Sequence, residues 1–401
     1  MEDTAPYKQV ILITRNFPPL IGGMEKLNFH LVKEISRSWR VTLIAPNGAD
    51  QHLIANVIIK TCPSYAGRFL VCAASKVFRL GIAVRISNQE ARPSVIIAGS
   101  GVSAPVAWLC SKLTGSPFGI YLHGLDVIAS SQIYKKLFLP CIRRADFWMA
   151  NSSATKKKAS QAGIDASRIE IIHPGVCSQP DLISEEDLSV WRHSANLPSG
   201  KLLLSVGRLT KRKGLREFIT KSLPEITKRD PSVQLIVVGS EPADALLGNS
   251  VGKLQLIEAA NRAGVSDKLH FLGSLSDEDL SRLYQVCDVH IFPIISVPGD
   301  MEGFGMVAIE SAAHGLPTVA FAEGGVIDAV NEGTSGYLIP PGDYTKFSEA
   351  VAQILEHRAT KLSRQSAMQF ASKFDWKTFG DKVRTLLLKE AYLEGRSQEN
   401  R

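Results

Sequence analysis

Arginine, lysine, glutamate and histidine recur beside glycine in a few short segments, a combination suited to an anionic, hydroxyl-rich ligand. One such segment is Ser205-Val206-Gly207-Arg208-Leu209-Thr210-Lys211-Arg212-Lys213-Gly214. An Arg fork and a Lys point charge can neutralise the roughly two negative charges of a diphosphate as they grow on a leaving group. A basic run alone is usually a solvated face. Here it follows the apolar run 202–206, and ligands of open α/β sheets bind beyond the carboxyl ends of the strands. A second segment is Glu302-Gly303-Phe304-Gly305-Met306-Val307-Ala308-Ile309-Glu310. A helix starting near Gly305 or Met306 leaves its first N–H groups without intrahelical partners. Glu310 falls just over one turn into it, among Val307, Ala308, Ala312 and Ala313. A carboxylate there needs donors, and the vicinal hydroxyls of a ribose would supply two. The competing reading is a capping glutamate plus a paired structural one.

Two further segments lie nearer the N-terminus. Asn16-Phe17-Pro18-Pro19-Leu20-Ile21-Gly22-Gly23-Met24-Glu25 stiffens a turn with prolines and then opens a helical pattern on a glycine pair. Backbone without Cβ lets a phosphate or sugar approach helix-terminal N–H groups closely; a purely structural turn would read the same way. Tyr121-Leu122-His123-Gly124-Leu125-Asp126 follows another apolar run. A histidine there can donate a hydrogen bond or trade a proton near neutral pH, although a lone histidine is more often structural.

These segments need strands and helices to hold them. Short apolar, β-branched runs occur at 10–14, 41–45, 57–60, 95–98, 119–122, 147–150 and 169–172, with helix-period stretches between several of them. Residues 24–36 are one such stretch, with Met24, Leu27, Leu31 and Ile35 on one stripe. Fully apolar short strands alternating with helices predict a parallel sheet covered on both faces. After a polar, strandless stretch, 178–200, read as a linker plus a helix, the alternation restarts at 202–206, 235–238, 269–272, 289–292, 318–321 and 337–339. The chain is helical from Tyr344 on, and 375–392 reads as one long terminal helix.

At 401 residues, two domains are the default. Net charge +7 favours anionic company such as nucleotides, phosphates, nucleic acid or an anionic lipid surface, and also fits a basic surface kept for solubility. The 6 cysteines show no paired spacing, so a zinc site or disulfide framework is not expected, and a reducing, cytosolic setting fits. The polar start 1–9 and the brief apolar run after it do not make a signal peptide. No stretch reaches the ~20 apolar residues of a membrane span. The nearest, 68–86, carries Arg68, Lys76, Arg79 and Arg85 among Phe69, Phe78 and Leu80. It reads as a sheet-covering helix or as a basic amphipathic helix at a membrane surface.

A rival enzyme class is a dinucleotide-dependent oxidoreductase. Gly99-Ser100-Gly101-Val102-Ser103-Ala104 fits GxGxx(G/A), with Asp126 at about the expected distance for a ribose acid. The fingerprint sits on a middle strand of its lobe, which weighs against it. A non-catalytic scaffold or sugar-nucleotide sensor is a further alternative. The intact Arg208, Lys213, Glu302 and Glu310 set argues against that, since charges that are costly to bury tend to be lost from decayed sites. Asp277-Glu278-Asp279 could mimic a metal motif but follows Ser276 as a cap and dipole complement, so no metal or other cofactor is expected.

Together the motifs resemble the retaining GT-B glycosyltransferases of family 4. The likeness runs through Gly22-Gly23, His123-Gly124, Asn151-Ser152 and His173-Pro174-Gly175-Val176. It continues through Gly207-Arg208-Leu209 with Lys213-Gly214, Val238-Gly239, Phe271-Leu272-Gly273, Tyr284, Asp288 and the Glu302/Glu310 pair, to Gly315-Leu316-Pro317 and Glu323-Gly324-Gly325. The resemblance implies an α/β fold of two Rossmann-like lobes, their parallel sheets facing across a cleft: 1–177 on the acceptor side, 178–374 binding the nucleotide sugar, and 375–401 a terminal helix crossing back. It implies that Arg208 and Lys213 bind the donor diphosphate with Gly22 and Gly23 backbone opposite, and that Glu310 holds the ribose. Glu302 would contact the transferred sugar, helped by N–H groups around Phe304, Gly305 and Met306, and His123 would touch the sugar near its reacting face. The implied activity is transfer of a hexosyl unit, with retention, from a UDP- or GDP-sugar to a glycan or lipid-linked acceptor. Surface polysaccharide or lipopolysaccharide assembly is the expected setting, in the cytoplasm or peripheral at the inner face of the cytoplasmic membrane. An anionic membrane is then an expected contact and nucleic acid is not. The segment 294–301 is longer than the family's shortest version and would reshape the sugar pocket.

Overall fold

In the computed structural model, which describes residues 8–86, 92–178, 180–241, 251–356 and 362–399, the apolar runs become two wholly parallel sheets. The polar start 1–7, Gln179 of the expected linker and the Arg85 side chain lie outside the described residues. The chain divides into two units, one of residues 1–175 with 376–401 and the other of residues 176–375.

The first unit holds β1 (Gln9–Ile13), β2 (Arg40–Pro46), β3 (Val57–Cys62), β4 (Val95–Ala98), β5 (Phe118–Leu122), β6 (Phe147–Ala150) and β7 (Ile169–Ile171), in the order β3-β2-β1-β4-β5-β6-β7. Side chains alternate across a strand, so β1 feeds two cores. Ile11 and Ile13 pack with Phe69, Ala73 and Val77 of the helix Ala66–Ile86. Val10 and Leu12 pack with Leu27 and Leu31 of the helix Gly23–Ile35, and with Phe379 and Val383 of the helix Trp376–Glu399. The terminal helix is therefore part of the first core. Arg384 meets the buried Glu34 carboxylate at 3.2 Å, and the His30 ring stacks on Trp376 with centroids 3.8 Å apart.

The second unit repeats the plan with β8 (Leu202–Val206), β9 (Gln234–Val238), β10 (Leu269–Gly273), β11 (Val289–Phe292), β12 (Thr318–Phe321) and β13 (Gly336–Ile339), in the order β10-β9-β8-β11-β12-β13. Leu203 faces a core with Leu215 and Phe218, while Leu202 and Leu204 face Leu283 and Tyr284. The polar stretch 178–200 contributes the helix Glu185–Ser194, started by the Ser184 side chain accepting from the Asp187 N–H. Ser276 likewise caps the helix Asp277–Val286, accepting from the Asp279 N–H at 3.1 Å.

In both sheets the strand order reverses between the first strand and the fourth, at β1/β4 and at β8/β11. Crossover connections leave such neighbours in opposite directions, and a crevice opens beyond their carboxyl ends. The chemistry-bearing loops follow β1, β4 and β5 in one unit and β8 and β11 in the other.

Phe379 is 2% exposed in the first core. Phe379→Ala should cost about 3–5 kcal/mol, read as faster hydrogen exchange of the β1 and β2 amides. Faster exchange confined to β8–β13 would contradict this placement of the terminal helix.

Candidate active site

At the end of β8 the chain turns on Gly207, exposes Arg208, returns Leu209 to the core and makes a single helical turn, Lys211–Lys213. Gly214 closes that turn in the left-handed region, φ 63°, where an added Cβ would run into the Pro293 carbonyl. The tight turn presses Arg212 and Lys213 inward while the helix Leu215–Lys221 starts behind them. From the adjacent β11, the loop through Pro293 comes back alongside, tied by the Ile295 N–H donating to the Arg212 carbonyl at 2.9 Å.

Four charges meet there. The Arg212 guanidinium pairs with Asp300 at 3.1 Å and directly with Glu302, and the Lys213 ammonium pairs with the same Glu302 oxygen, Oε2, at 2.9 Å. The side chains are only 10–16% exposed. Burial pushes the Glu302 carboxyl up, but Arg212 and Lys213 outweigh it and hold the group down at about 2. Burial pulls Lys213 down, and the repulsion of Arg212 and Arg208 adds to it despite Glu302. Lys213 also sits 4.6 Å from the centre of the Phe292 ring, a cation–π contact at the foot of the site. Arg208 is different: it is exposed and, among the described residues, makes no ion pair. With Ser205, Gly207, Lys213 and Gln255 it lines a concavity of about 260 Å³.

After Glu302 the loop reaches Gly305, φ 95°, where a Cβ would crowd Phe292, and the helix Met306–Ala313 begins without a side-chain cap. Phe304 is buried against Phe374, so its side chain packs in the core, and Met306 is half-buried against the same core. Glu310 is half-buried, its Oε2 3.5 Å from the Tyr284 hydroxyl. Burial, reinforced by Glu310, raises the Tyr284 hydroxyl well above its ordinary value, keeping it a donor.

In the first unit a buried polar network joins the other expected residues. Asn16 donates to Glu25 Oε1 at 2.8 Å, bracing the Gly22-Gly23 turn against the helix that follows it. Asn28 donates to Thr14, to the Asn16 carbonyl and to the Gly99 carbonyl. His123 Nε2 lies 2.8 Å from the same Gly99 carbonyl. A carbonyl only accepts, so Nε2 carries the proton that meets it. Asp126 accepts from the His123 N–H at 2.6 Å and from the Gly101 N–H at 2.8 Å. This corrects the dinucleotide alternative: the acid it needs for a ribose already fastens two loops together. Packing accounts for its glycines too, since a Cβ at Gly99 would meet Thr14 and Asn28.

Sequence reasoning picked out Arg208, Lys213, Glu302 and Glu310, but gave Arg212 no role of its own and missed Asp300. The usable signal was a lone carboxylate in the otherwise apolar, Pro-Gly-containing loop 294–301, which needs a cation if it is buried.

Residues 190–374 match the family described as Glycosyl transferases group 1, and residues 21–179 match Glycosyltransferase Family 4. The chain belongs to the family 4 glycosyltransferases of GT-B fold. This glycosyltransferase is 26% identical to a GDP-mannose-dependent alpha-(1-6)-phosphatidylinositol monomannoside mannosyltransferase of Mycobacterium tuberculosis, over 94% of this chain and 98% of that one. It is 29% identical to the D-inositol 3-phosphate glycosyltransferase of Mycolicibacterium smegmatis over 59% of its own length, a match that spans only 51% of that relative. Among solved structures, Anabaena HepE in complex with UDP-glucose superposes with a TM-score of 0.75 at 23% identity, covering 96% of this chain and all of that one.

Removing one partner from a buried charge cluster strands the others. Arg212→Met should lower the unfolding free energy by about 3 kcal/mol or more, whereas the exposed Arg208→Ala should change it by less than about 0.5 kcal/mol. Urea titration distinguishes them, and equal costs would contradict the geometry. Glu302 has its value lowered from 4.5 to about 2, so its stabilisation is complete above the first figure and is lost as pH falls toward the second. Glu302→Gln should flatten that acid loss.

Proposed function

We propose that this glycosyltransferase moves a hexosyl unit, with retention, from a nucleotide-diphosphate sugar to a glycan or lipid-linked acceptor. The observation that carries the reading is an exposed arginine beside a buried lysine–glutamate pair at the β8/β11 reversal. Among the described residues Arg208 has no ion pair to give up, and it can turn its fork on a diphosphate. Lys213, held by Glu302, adds a second, fixed cation to the same concavity.

In the proposed reaction the bond from the anomeric carbon to the diphosphate oxygen breaks, and its electron pair leaves with the diphosphate. Arg208 and Lys213 stabilise that growing charge. The acceptor hydroxyl attacks the same face and gives its proton to a departing phosphate oxygen, with no covalent enzyme intermediate. Glu302 uses the oxygen not engaged by the cations to orient a sugar hydroxyl, with N–H groups at Phe304, Gly305 and Met306 beside it. Glu310 takes the ribose hydroxyls. The Gly22-Gly23 backbone serves the diphosphate, and His123 presents Nδ1 to the sugar. The resident groups suffice for this chemistry without a metal.

Relatives and fold neighbours support a nucleotide-sugar donor in general, since one relative is GDP-mannose-dependent by name and HepE holds UDP-glucose. A role in surface glycan assembly is consistent with the fold likeness to the lipopolysaccharide outer core galactosyltransferase WaaB, with a TM-score of 0.67 at 17% identity.

A panel of UDP- and GDP-sugars in thermal melts should single out a donor that raises the midpoint by mass action. With that donor, Arg208→Ala should lower turnover by about 10² or more, while Glu310→Ala should mainly raise the donor dissociation constant. Near-normal turnover in Arg208→Ala would sink the assignment. A donor that binds without turnover by the wild-type enzyme would favour a sensor.

A further inference from the structure

Tyr284 belongs to the family likeness but has no part in the reaction proposed for the site. It lies in the helix Asp277–Val286 and is 2% exposed, its ring packed with Leu202, Leu204 and Leu283. Packing needs the ring alone. A hydroxyl carried into such a core costs free energy unless an acceptor meets it. Among the described residues that acceptor is Glu310 Oε2, at 3.5 Å.

The spacing on two helices makes this contact part of a larger grip. Ser281 and Tyr284 stand three residues apart on one face of their helix. Glu310 and His314 stand four apart on one face of the helix Met306–Ala313 and its C-terminal cap. The two faces meet. The His314 ring stacks on Tyr284 with centroids 5.1 Å apart. Its Nε2 lies 2.8 Å from the Ser281 hydroxyl, and its Nδ1 lies 2.7 Å from the Glu310 carbonyl. A carbonyl only accepts, so Nδ1 carries the proton that meets it. One arm of the grip thus holds the Glu310 backbone and the other its carboxylate. A free glutamate samples many rotamers, and ordering them at the moment of binding weakens affinity.

We propose, resting on the reading of Glu310 as the ribose-holding group, that Tyr284 is a positioning residue. With Ser281 and His314 it presets the Glu310 carboxylate, and so makes the site select ribonucleotides over their deoxy counterparts. A carboxylate fixed through one oxygen can accept from a vicinal diol with the other. A ligand without the diol leaves that oxygen unpaired. The Tyr284 contact is long for an O–H donor and should shorten once a ligand completes the site, as such contacts do.

The test is calorimetric titration of wild-type protein, Tyr284→Phe, Glu310→Ala and the double variant with UDP, GDP and their 2′,3′-dideoxy forms. Wild-type protein should bind its preferred ribonucleotide about tenfold or more tighter than the dideoxy form. Tyr284→Phe should cut that ratio about threefold or more with dideoxy affinity unchanged, and should add nothing to Glu310→Ala in the double variant. A tyrosine with a purely structural role would weaken both ligands alike or add its loss to that of Glu310→Ala. Either result would overturn the proposal. So would a wild-type ratio in Tyr284→Phe beside a lost ratio in Glu310→Ala, which leaves Glu310 as the ribose group. If Glu310→Ala keeps the wild-type ratio, the ribose assignment itself fails and the proposal falls with it.

Discussion

Two cations and two carboxylates, nearly removed from water, hold the second unit's loops in place. Desolvating any one of Arg212, Lys213, Asp300 or Glu302 alone would be costly, and the cluster is tolerable because the charges balance and touch. The consequence is positional. The turn after β8 and the long loop after β11 cannot move independently without stranding a buried charge, so Lys213 and Glu302 are set before any ligand arrives. Arg208, outside the cluster, makes no ion pair among the described residues. Pre-set charges around a growing negative charge require little reorganisation during reaction, which is where electrostatic catalysis draws its advantage.

Parallel topology makes that cluster available. Hydrogen-bonded neighbours β8 and β11 are the point where strand order reverses, so their loops leave a crevice that side chains from both can enter. The first unit uses the same reversal differently. There β1, β4 and β5 send Asn16, Gly99 and His123 into a neutral hydrogen-bonded network, with Asp126 absorbed in backbone contacts. Charge thus gathers at the second unit's reversal, and a hydrogen-bonded histidine and backbone groups gather at the first unit's own.

Much of the fold could be read locally. Fully buried parallel strands are short continuous apolar runs, and the bounds of β4, β6, β8, β11 and β12 are those of the runs themselves. β3 extends past its apolar run to Cys62 because pairing with β2 carries Thr61 and Cys62 along. The candidate site's position was legible where residue type and strand-end position coincide, as at Arg208 and Lys213. It was not legible where partnership is tertiary. Arg212 is 88 residues from Asp300 and 90 from Glu302, and only the adjacency of β8 and β11 brings them together. Asp126 shows the converse: local spacing offered it a ribose, and the fold gave it two backbone N–H groups.

In the proposed reaction a diphosphate lies against Arg208 and Lys213. Calorimetric titration of wild-type protein and Arg208→Ala with a nucleoside and with its 5′-diphosphate isolates that contact. A charge-assisted hydrogen-bonded contact should leave nucleoside affinity unchanged and weaken the diphosphate about tenfold or more. Equal affinity of both proteins for the diphosphate, or an equal loss for both ligands, would contradict it.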